Sequence, residues 1–408
     1  MRQRLVALAK HPLLFALYIP AVIFSTAMGV MGPVLPLYAA DFGVPYGVVG
    51  LVVAAETLGT LLGDVPAGML MPRLGKKRLM ILGLGLYGTM ITGLYFVRSI
   101  WAVAVLLALG GAGWAFFGVS RHAYVADSVA VAQRGRAIAV FGGTFRIGRF
   151  LGPALGGAVA GQFGLRVPFL IVGLLALGGL IFVWRFAEAD DHPDQSGAAP
   201  PVRTSIRELL RAHYRTLAAA GGAQFLAQMT RAGWRTIIPL FAADVIGLDV
   251  AQIGLVISAM SAVDMALFMP TGWIMDRWGR KFAIVPSFAL QAVGLALIPL
   301  TSGFASLLAV GLIIGFGNGL GAGTMMTLGA DLAPPRARGE FLGVWRLIGD
   351  TGAATGPLVA GAVADVLSLP ATALVAAVGG VLAALTFVRI VPETLRREAR
   401  PVAGDPPQ

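Results

Sequence analysis

Residues 126–160 read ADSVAVAQRGRAIAVFGGTFRIGRFLGPALGGAVA, and residues 330–364 read ADLAPPRARGEFLGVWRLIGDTGAATGPLVAGAVA. At an offset of 204 residues, twelve of these thirty-five positions are identical, among them the pairs Gly148/Gly352, Gly152/Gly356, Pro153/Pro357 and Gly157/Gly361. A second match, LPLYAAD at 35–41 against IPLFAAD at 238–244, repeats the relationship near the start of each half. Self-similarity at a fixed long spacing marks a duplicated unit. The basic MRQRLVALAK opening, which looks like a leader, is therefore expected to belong to the first repeat and to stay in the mature chain.

Composition says what solvates the duplicated unit. The chain is 57% hydrophobic and 12% charged, against about 25% charged residues in ordinary soluble domains, and its mean hydropathy is +0.81. Lipid is the expected solvent. Cysteine is absent, which excludes disulfides and thiolate metal sites, and the four histidines (His11, His122, His192, His213) are too scattered for a metal cluster. The net charge of +11 is expected to sit in loops against anionic lipid and not to bind nucleic acid.

A bilayer span takes about 20 mostly apolar residues. Windows of that kind fall near 13–38, 47–71, 79–97, 100–124, 137–161, 166–187, 216–241, 250–273, 282–301, 304–329, 341–365 and 368–391. The expected fold is thus an all-α membrane protein of twelve transmembrane helices in two six-helix repeats. With the N-terminus inside, the inner segments hold 23 of the 31 basic residues and the outer loops only Arg98 and Arg166. This bias places both termini in the cytoplasm. The expected organisation is a first bundle over 1–187, a cytoplasmic linker over 188–215 with a short basic helix opened by the capping pattern Ser205-Ile-Arg-Glu208, a second bundle over 216–392 and a tail over 393–408. Parallel six-helix repeats enclose a substrate path between them.

Two motifs add a family resemblance. Gly272-Trp-Ile-Met-Asp276-Arg277-Trp-Gly279-Arg280-Lys281 resembles the signature loop of the major facilitator superfamily, and Gly148-x-x-x-Gly152-Pro153-x-x-Gly156-Gly157 resembles the fifth-helix motif of its antiporters. The chain is most similar to the drug:proton antiporter branch. The resemblance implies that Asp276 bears on the N-terminal end of the fifth span, where Arg134-Gly135-Arg136 lies. The first-half loop departs from the pattern, with Pro72 in place of the aspartate. Glu340 opens the eleventh span where the first half has Arg136, so a lock of swapped polarity, Arg73 or Lys76 on Glu340, is expected. The fourth span also lacks the arginine, and the first span the acid, that many relatives carry. On physical grounds alone, Gly148, Gly152 and Gly156 form a smooth stripe for close helix approach, and Pro153 breaks one backbone hydrogen bond.

Charges inside spans are costly and so need partners or water. Glu56, Asp64, Asp264 and Asp350 are the intramembrane acids, and Arg146, Arg149, Arg231 and Arg346 the deepest bases. The family resemblance implies that spans two and eleven, and five and eight, face each other; equal depths then pair Asp64 with Arg346 and Arg149 with Asp264, and Arg346 and Asp350 are also i, i+4 neighbours. Arg121 is read as snorkelling from the end of the fourth span. Arg146 and Asp350 occupy the same position of the repeat with opposite charge. Asp264, then Glu56, are the expected proton carriers, with Asp64 and Asp350 as further candidates. Gln224, Gln228 and Arg231 on the seventh span, with Trp114, Phe117 and Met28 from the first half, are expected to line an adaptable cavity.

The expected function is secondary active export of small amphipathic compounds driven by a proton gradient, with no other cofactor, by a monomer in a bacterial inner membrane. The alternative is movement, including uptake, of an organic anion or lipid-like metabolite, which the excess of arginines favours. A membrane receptor or enzyme is the other class. Against it, no catalytic Ser/His/Asp, Cys/His or metal constellation falls in the spans, and no nucleotide-binding P-loop occurs.

Overall fold

The computed structural model describes residues 19–128, 131–187 and 206–395. The first half contains α1 (Ile19–Ala40), α2 (Tyr46–Leu74), α3 (Lys76–Gly93), α4 (Ile100–Ser128), α5 (Val131–Phe163) and α6 (Val167–Phe186). The second contains α7 (Ile206–Phe241), α8 (Val250–Arg277), α9 (Lys281–Leu297), α10a (Phe304–Leu320), α10b (Thr324–Leu332), α11 (Arg338–Val366) and α12 (Leu369–Arg389). No strand occurs among the described residues. Eight of these columns are long and apolar enough to cross a bilayer unaided. The exceptions are α3, which opens on Lys76-Lys77-Arg78, and α5, α7 and α11, which carry the inward arginines.

Local sequence sets the helix ends. Gly75 both closes α2 and opens α3, a one-residue reversal that needs its φ of +78°. Asp249 caps α8 by a reciprocal capping box, with the Gln252 N–H donating to its carboxylate at 2.8 Å and the Gln252 side chain accepting the Asp249 N–H at 3.2 Å. The basic segment at the end of the linker is helical at the start of α7, and non-helical backbone at His213 (φ −118°, ψ 17°) divides it from the seventh span.

Two expectations change. The tenth span is not one helix, because Gly321 and Ala322 interrupt it and Gly323 restarts it at φ +74°. The Asn318-Gly-Leu-Gly-Ala-Gly323 run lacks the side chains that would hold a continuous helix. The start of the supposed tail is also ordered: Glu393 accepts backbone N–H groups of Arg280 and Lys281 at 2.9 and 3.0 Å.

Glycines place the helices. Within the first half, a Cβ on Gly148, Gly152 or Gly156 would strike α1 at Ser25, Gly29 or Val30. Within the second, Gly352 and Gly356 meet α7 at Phe225 and Met229. The duplicated stripes therefore pack α5 on α1 and α11 on α7, each inside its own half.

Contact between the halves comes one position along each motif. A Cβ on Gly157 would lie 2.5 Å from the Val250 carbonyl, and Gly254 faces the Pro153 carbonyl. Gly50 faces the Pro357 carbonyl, and Gly361 faces Tyr46. These closest approaches, α5 on α8 and α11 on α2, all lie toward the end of the bundle opposite the basic α2–α3 and α8–α9 turns.

Candidate functional site

Pro153 has no N–H, and α5 is further opened at the next residue by the second half. The Ser258 hydroxyl of α8 donates to the Phe150 carbonyl at 2.7 Å and accepts the Ala154 N–H at 2.9 Å. A side chain thus sits inside the i to i+4 ladder of α5, a recognised cause of helix bending. That insertion makes α8 part of α5's own backbone bonding.

One helical stretch away, Arg146 on α5 meets Asp264 on α8 at 2.6 Å. Asn318 of α10a donates to the other Asp264 oxygen at 2.8 Å, and the Arg146 guanidinium also lies 4.3 Å over the Phe268 ring. The expected partner of Asp264 was Arg149, and the structure corrects this. Residues 146 and 149 lie three apart, about 4.5 Å along the axis and about 60° around it, so a depth estimate good to a few residues does not separate them. Arg149 instead faces a cavity.

That cavity, about 280 Å³, is lined by Arg146, Arg149, Gln228, Arg231, Arg235, Asp264, Asn318 and the Gly321–Gly323 break. Arg231 donates to the Gly321 carbonyl at 3.2 Å and lies 5.0 Å over Phe288. A second cavity of about 470 Å³ shares Gln228, Arg231, Gly321 and Gly323 with the first, and continues past Gln224, Met325, Met326, Leu342 and Trp345 to Arg346 and Asp350. The expected cavity residues Gln224, Gln228 and Arg231 are therefore together.

The first-half aromatics are placed differently. Phe117 is 2% exposed, and Trp114 stacks on Phe24 with ring centres 4.4 Å apart. Met28 sulfur accepts the Tyr87 hydroxyl at 3.1 Å. These rings pack the interior of the first half, and the fully covered Phe117 offers no surface to a ligand. Arg121 does not snorkel either. It is 4% exposed, within 5.5 Å of the centres of the Trp114, Phe117 and Phe145 rings.

Toward the basic end, Asp64 on α2 and Arg346 on α11 stand 3.3 Å apart, as equal depth predicts, and Arg346 is also 3.2 Å from Asp350. Glu56 is elsewhere, within the first half, with Oε1 buried and unbonded.

The signature loop mostly serves its own half. Arg280 bonds Asp331 at 2.9 Å, the Met275 carbonyl at 2.7 Å and Asp276 at 3.3 Å. Lys281 Nζ donates to the Val388 carbonyl at 2.9 Å. Gly279 adopts φ +122°, and any Cβ there would collide with Glu393. Burial pushes the Glu393 carboxyl up, but backbone N–H groups of Leu395, Lys281, Arg280 and Thr394 outweigh it and hold the group below the usual range. Asp276 is 80% exposed at its side chain, and Arg277 lies over Trp273. Gly272 has open space around it. The expected docking point at Arg134 and Arg136 lies outside the described side chains. Among the described residues, Glu340 makes no ion pair with Arg73.

At the opposite end, Asp365 at the foot of α11 accepts the Tyr46 and Gly47 N–H groups, both at 2.7 Å. The Tyr46 hydroxyl donates to Asp244 at 2.8 Å. Sequence reading missed this contact. Asp244 carries a signal, since it ends the repeated IPLFAAD, but Asp365 has none, because a lone acid after a span reads as a loop residue.

Comparison with known proteins agrees with this architecture. The family model described as Major Facilitator Superfamily matches twice, over residues 17–223 and 220–407, once per half. An uncharacterized MFS-type transporter of Methanocaldococcus jannaschii is 23% identical over 352 residues, covering 85% of this chain and 90% of that protein. The quinolone resistance protein NorA of Staphylococcus aureus is 25% identical over 360 residues, covering 86% and 90%. Among solved structures, a bacterial homolog of the human lysosomal transporter Spinster, inward-facing and occupied, superposes with a TM-score of 0.79 at 16% identity, covering 92% of this chain and 95% of that one. With a family match in each half, the two-bundle fold and the membrane-spanning columns, this chain is a multi-pass membrane protein of the Major Facilitator Superfamily.

Proposed function

We propose that this transporter exports small amphipathic compounds in exchange for protons, by alternating access, with its basic end on the cytoplasmic face. One observation carries the reading: the single acid in the central cavity, Asp264, is bound to an arginine of the other half. A proton on Asp264 removes the charge that holds Arg146, so protonation and separation of α5 from α8 become one event. The proton that a carrier needs and the contact that a rocking transporter must break are then the same group. The similarity to the quinolone resistance protein NorA lends support to export. Glu56, a buried acid without a basic neighbour, is the second proton-carrying candidate.

The test is proteoliposome transport with an internal pH-sensitive dye. Addition of a transported amphipathic compound moves protons in the wild type and not in Asp264→Asn. Proton movement that persists in that variant refutes the assignment of Asp264. If no compound from a chemically varied panel moves protons in the wild type, proton exchange itself is wrong.

A further inference from the structure

The central cavity holds more positive charge than its protein partners neutralise. Arg146 is matched by Asp264 at 2.6 Å. Arg231 has only neutral partners, the Gly321 carbonyl at 3.2 Å and the Gln228 side chain at 3.5 Å, and its Nε is buried without a bond. Arg149, from α5, and Arg235, from α7, line the same 280 Å³ space with no acid within ion-pair distance. Three guanidinium groups, from both halves, therefore share one cavity with no carboxylate within ion-pair distance among the described residues, and Asp264, the acid on the same wall, is taken by Arg146. Within a membrane protein such charges face a water-filled cavity and mark the path of a substrate or ion.

The α10a–α10b break adds to the same field. Gly323 lines the cavity and caps α10b, so the first turn of that helix begins at the cavity wall, with the Thr324 N–H already donating to the Gly321 carbonyl at 3.3 Å. Guanidinium groups match the planar, multi-oxygen geometry of carboxylate and phosphate better than any other side chain. The adjoining 470 Å³ cavity is of the opposite character, with Met325, Met326, Leu342 and Trp345 along it. A polar compartment joined to an apolar one through Arg231 fits a molecule with an anionic head and an apolar body.

We propose that the substrate is an amphipathic organic anion, its carboxylate or phosphate held among Arg149, Arg231 and Arg235 and its apolar part lying against Met325, Met326 and Trp345. This rests on the transport reading above and names its substrate class. Because the head bridges α5 and α7, it draws the two halves together, and its departure leaves the three arginines to repel one another.

The experiment is a calorimetric titration of the whole protein in lipid nanodiscs with three probes of one ring system: 2-naphthoate, 2-naphthyl phosphate and 2-naphthylmethylammonium. At least one anion binds and the cation does not; which anion binds more tightly separates a carboxylate head from a phosphate one. Arg149→Gln and Arg235→Gln each weaken anion binding tenfold or more, and Arg149→Lys keeps a measurable part of it. Cation binding equal to or stronger than that of both anions overturns the proposal, and needs no variant to do so. Anion affinity unchanged in a folded Arg149→Gln/Arg235→Gln double variant overturns it too. Binding is read without a proton gradient, so an anion that binds but moves no protons would refute proton exchange and leave this site standing. A cation that moves protons while no anion binds would do the reverse.

Discussion

The Arg146 guanidinium and the Asp264 carboxylate stand 2.6 Å apart across the two halves, and Asn318 occupies the remaining carboxylate oxygen at 2.8 Å. Removing one partner of a desolvated pair leaves the other charge exposed to low dielectric, a change of about 3–5 kcal/mol where burial is complete. This pair borders a cavity, so the expected loss for Arg146→Gln is nearer 1–2 kcal/mol. The Arg146→Gln/Asp264→Asn double variant recovers part of it. A thermal-unfolding double-mutant cycle in detergent measures the coupling.

Ser258 supplies both halves of a backbone hydrogen bond that α5 has lost. Ser258→Ala strands the Ala154 N–H and the Phe150 carbonyl, which costs about 1–3 kcal/mol when such groups stay buried. Melting temperature falls, and the α5–α8 distance, followed by paired spin labels, broadens. Native cysteines are absent, so labelling positions can be introduced without background.

Asp365 closes the end of the molecule opposite the basic turns by accepting two N–H groups at the start of α2. The contact combines charge-assisted hydrogen bonding with a favourable helix-terminus position. In Asp365→Ala the population open at that end rises roughly tenfold, corresponding to about 1.4 kcal/mol. Tyr46→Phe, which removes only the bond to Asp244, has a smaller effect of the same sign. Spin-label distances between α2 and α11 report both.

Arg346 is shared by Asp64 and Asp350 at 3.3 and 3.2 Å, and its side chain is 53% exposed. Pairs this open are worth about 0–1 kcal/mol. Asp64→Asn therefore leaves the melting temperature nearly unchanged, because Asp350 keeps hold of the guanidinium. The Asp64→Asn/Asp350→Asn double variant frees it, and the α2–α11 distance distribution shifts.

Glu393 has a distinct pH signature. Its folded-state carboxyl titrates below its ordinary value because four backbone N–H groups favour the charged form over the effect of burial. The stabilisation is complete above the unfolded value of about 4.3 and is lost as pH falls through the lower folded value. Thermal stability of the wild type therefore exceeds that of Glu393→Gln by a constant margin above about pH 5, and the two curves converge on acidification.

Sequence by itself determined the duplication, the twelve columns and the pairing of Asp64 with Arg346. Each is fixed by spacing along the chain: an offset of 204 residues, runs matched to bilayer thickness, and equal depth from a common surface. The same logic found which spans carry charge, since the arginines of α5, α7 and α11 stand out against apolar surroundings.

Rotation about a helix axis and the remaining contacts across the halves were decided only by tertiary structure. Arg146, not Arg149, meets Asp264, a choice made by about 60° of rotation and about 4.5 Å of rise, finer than depth read from a sequence resolves. The glycine stripe packs on α1 while the neighbouring Pro153 and Gly157 meet α8, because a helix presents different faces to partners that only folding selects. The break at Gly321, the insertion of Ser258 into α5 and the closure by Asp365 join residues more than a hundred positions from their partners or depend on backbone geometry. No local pattern encodes such contacts, and they are what turns two copies of one bundle into a single cavity.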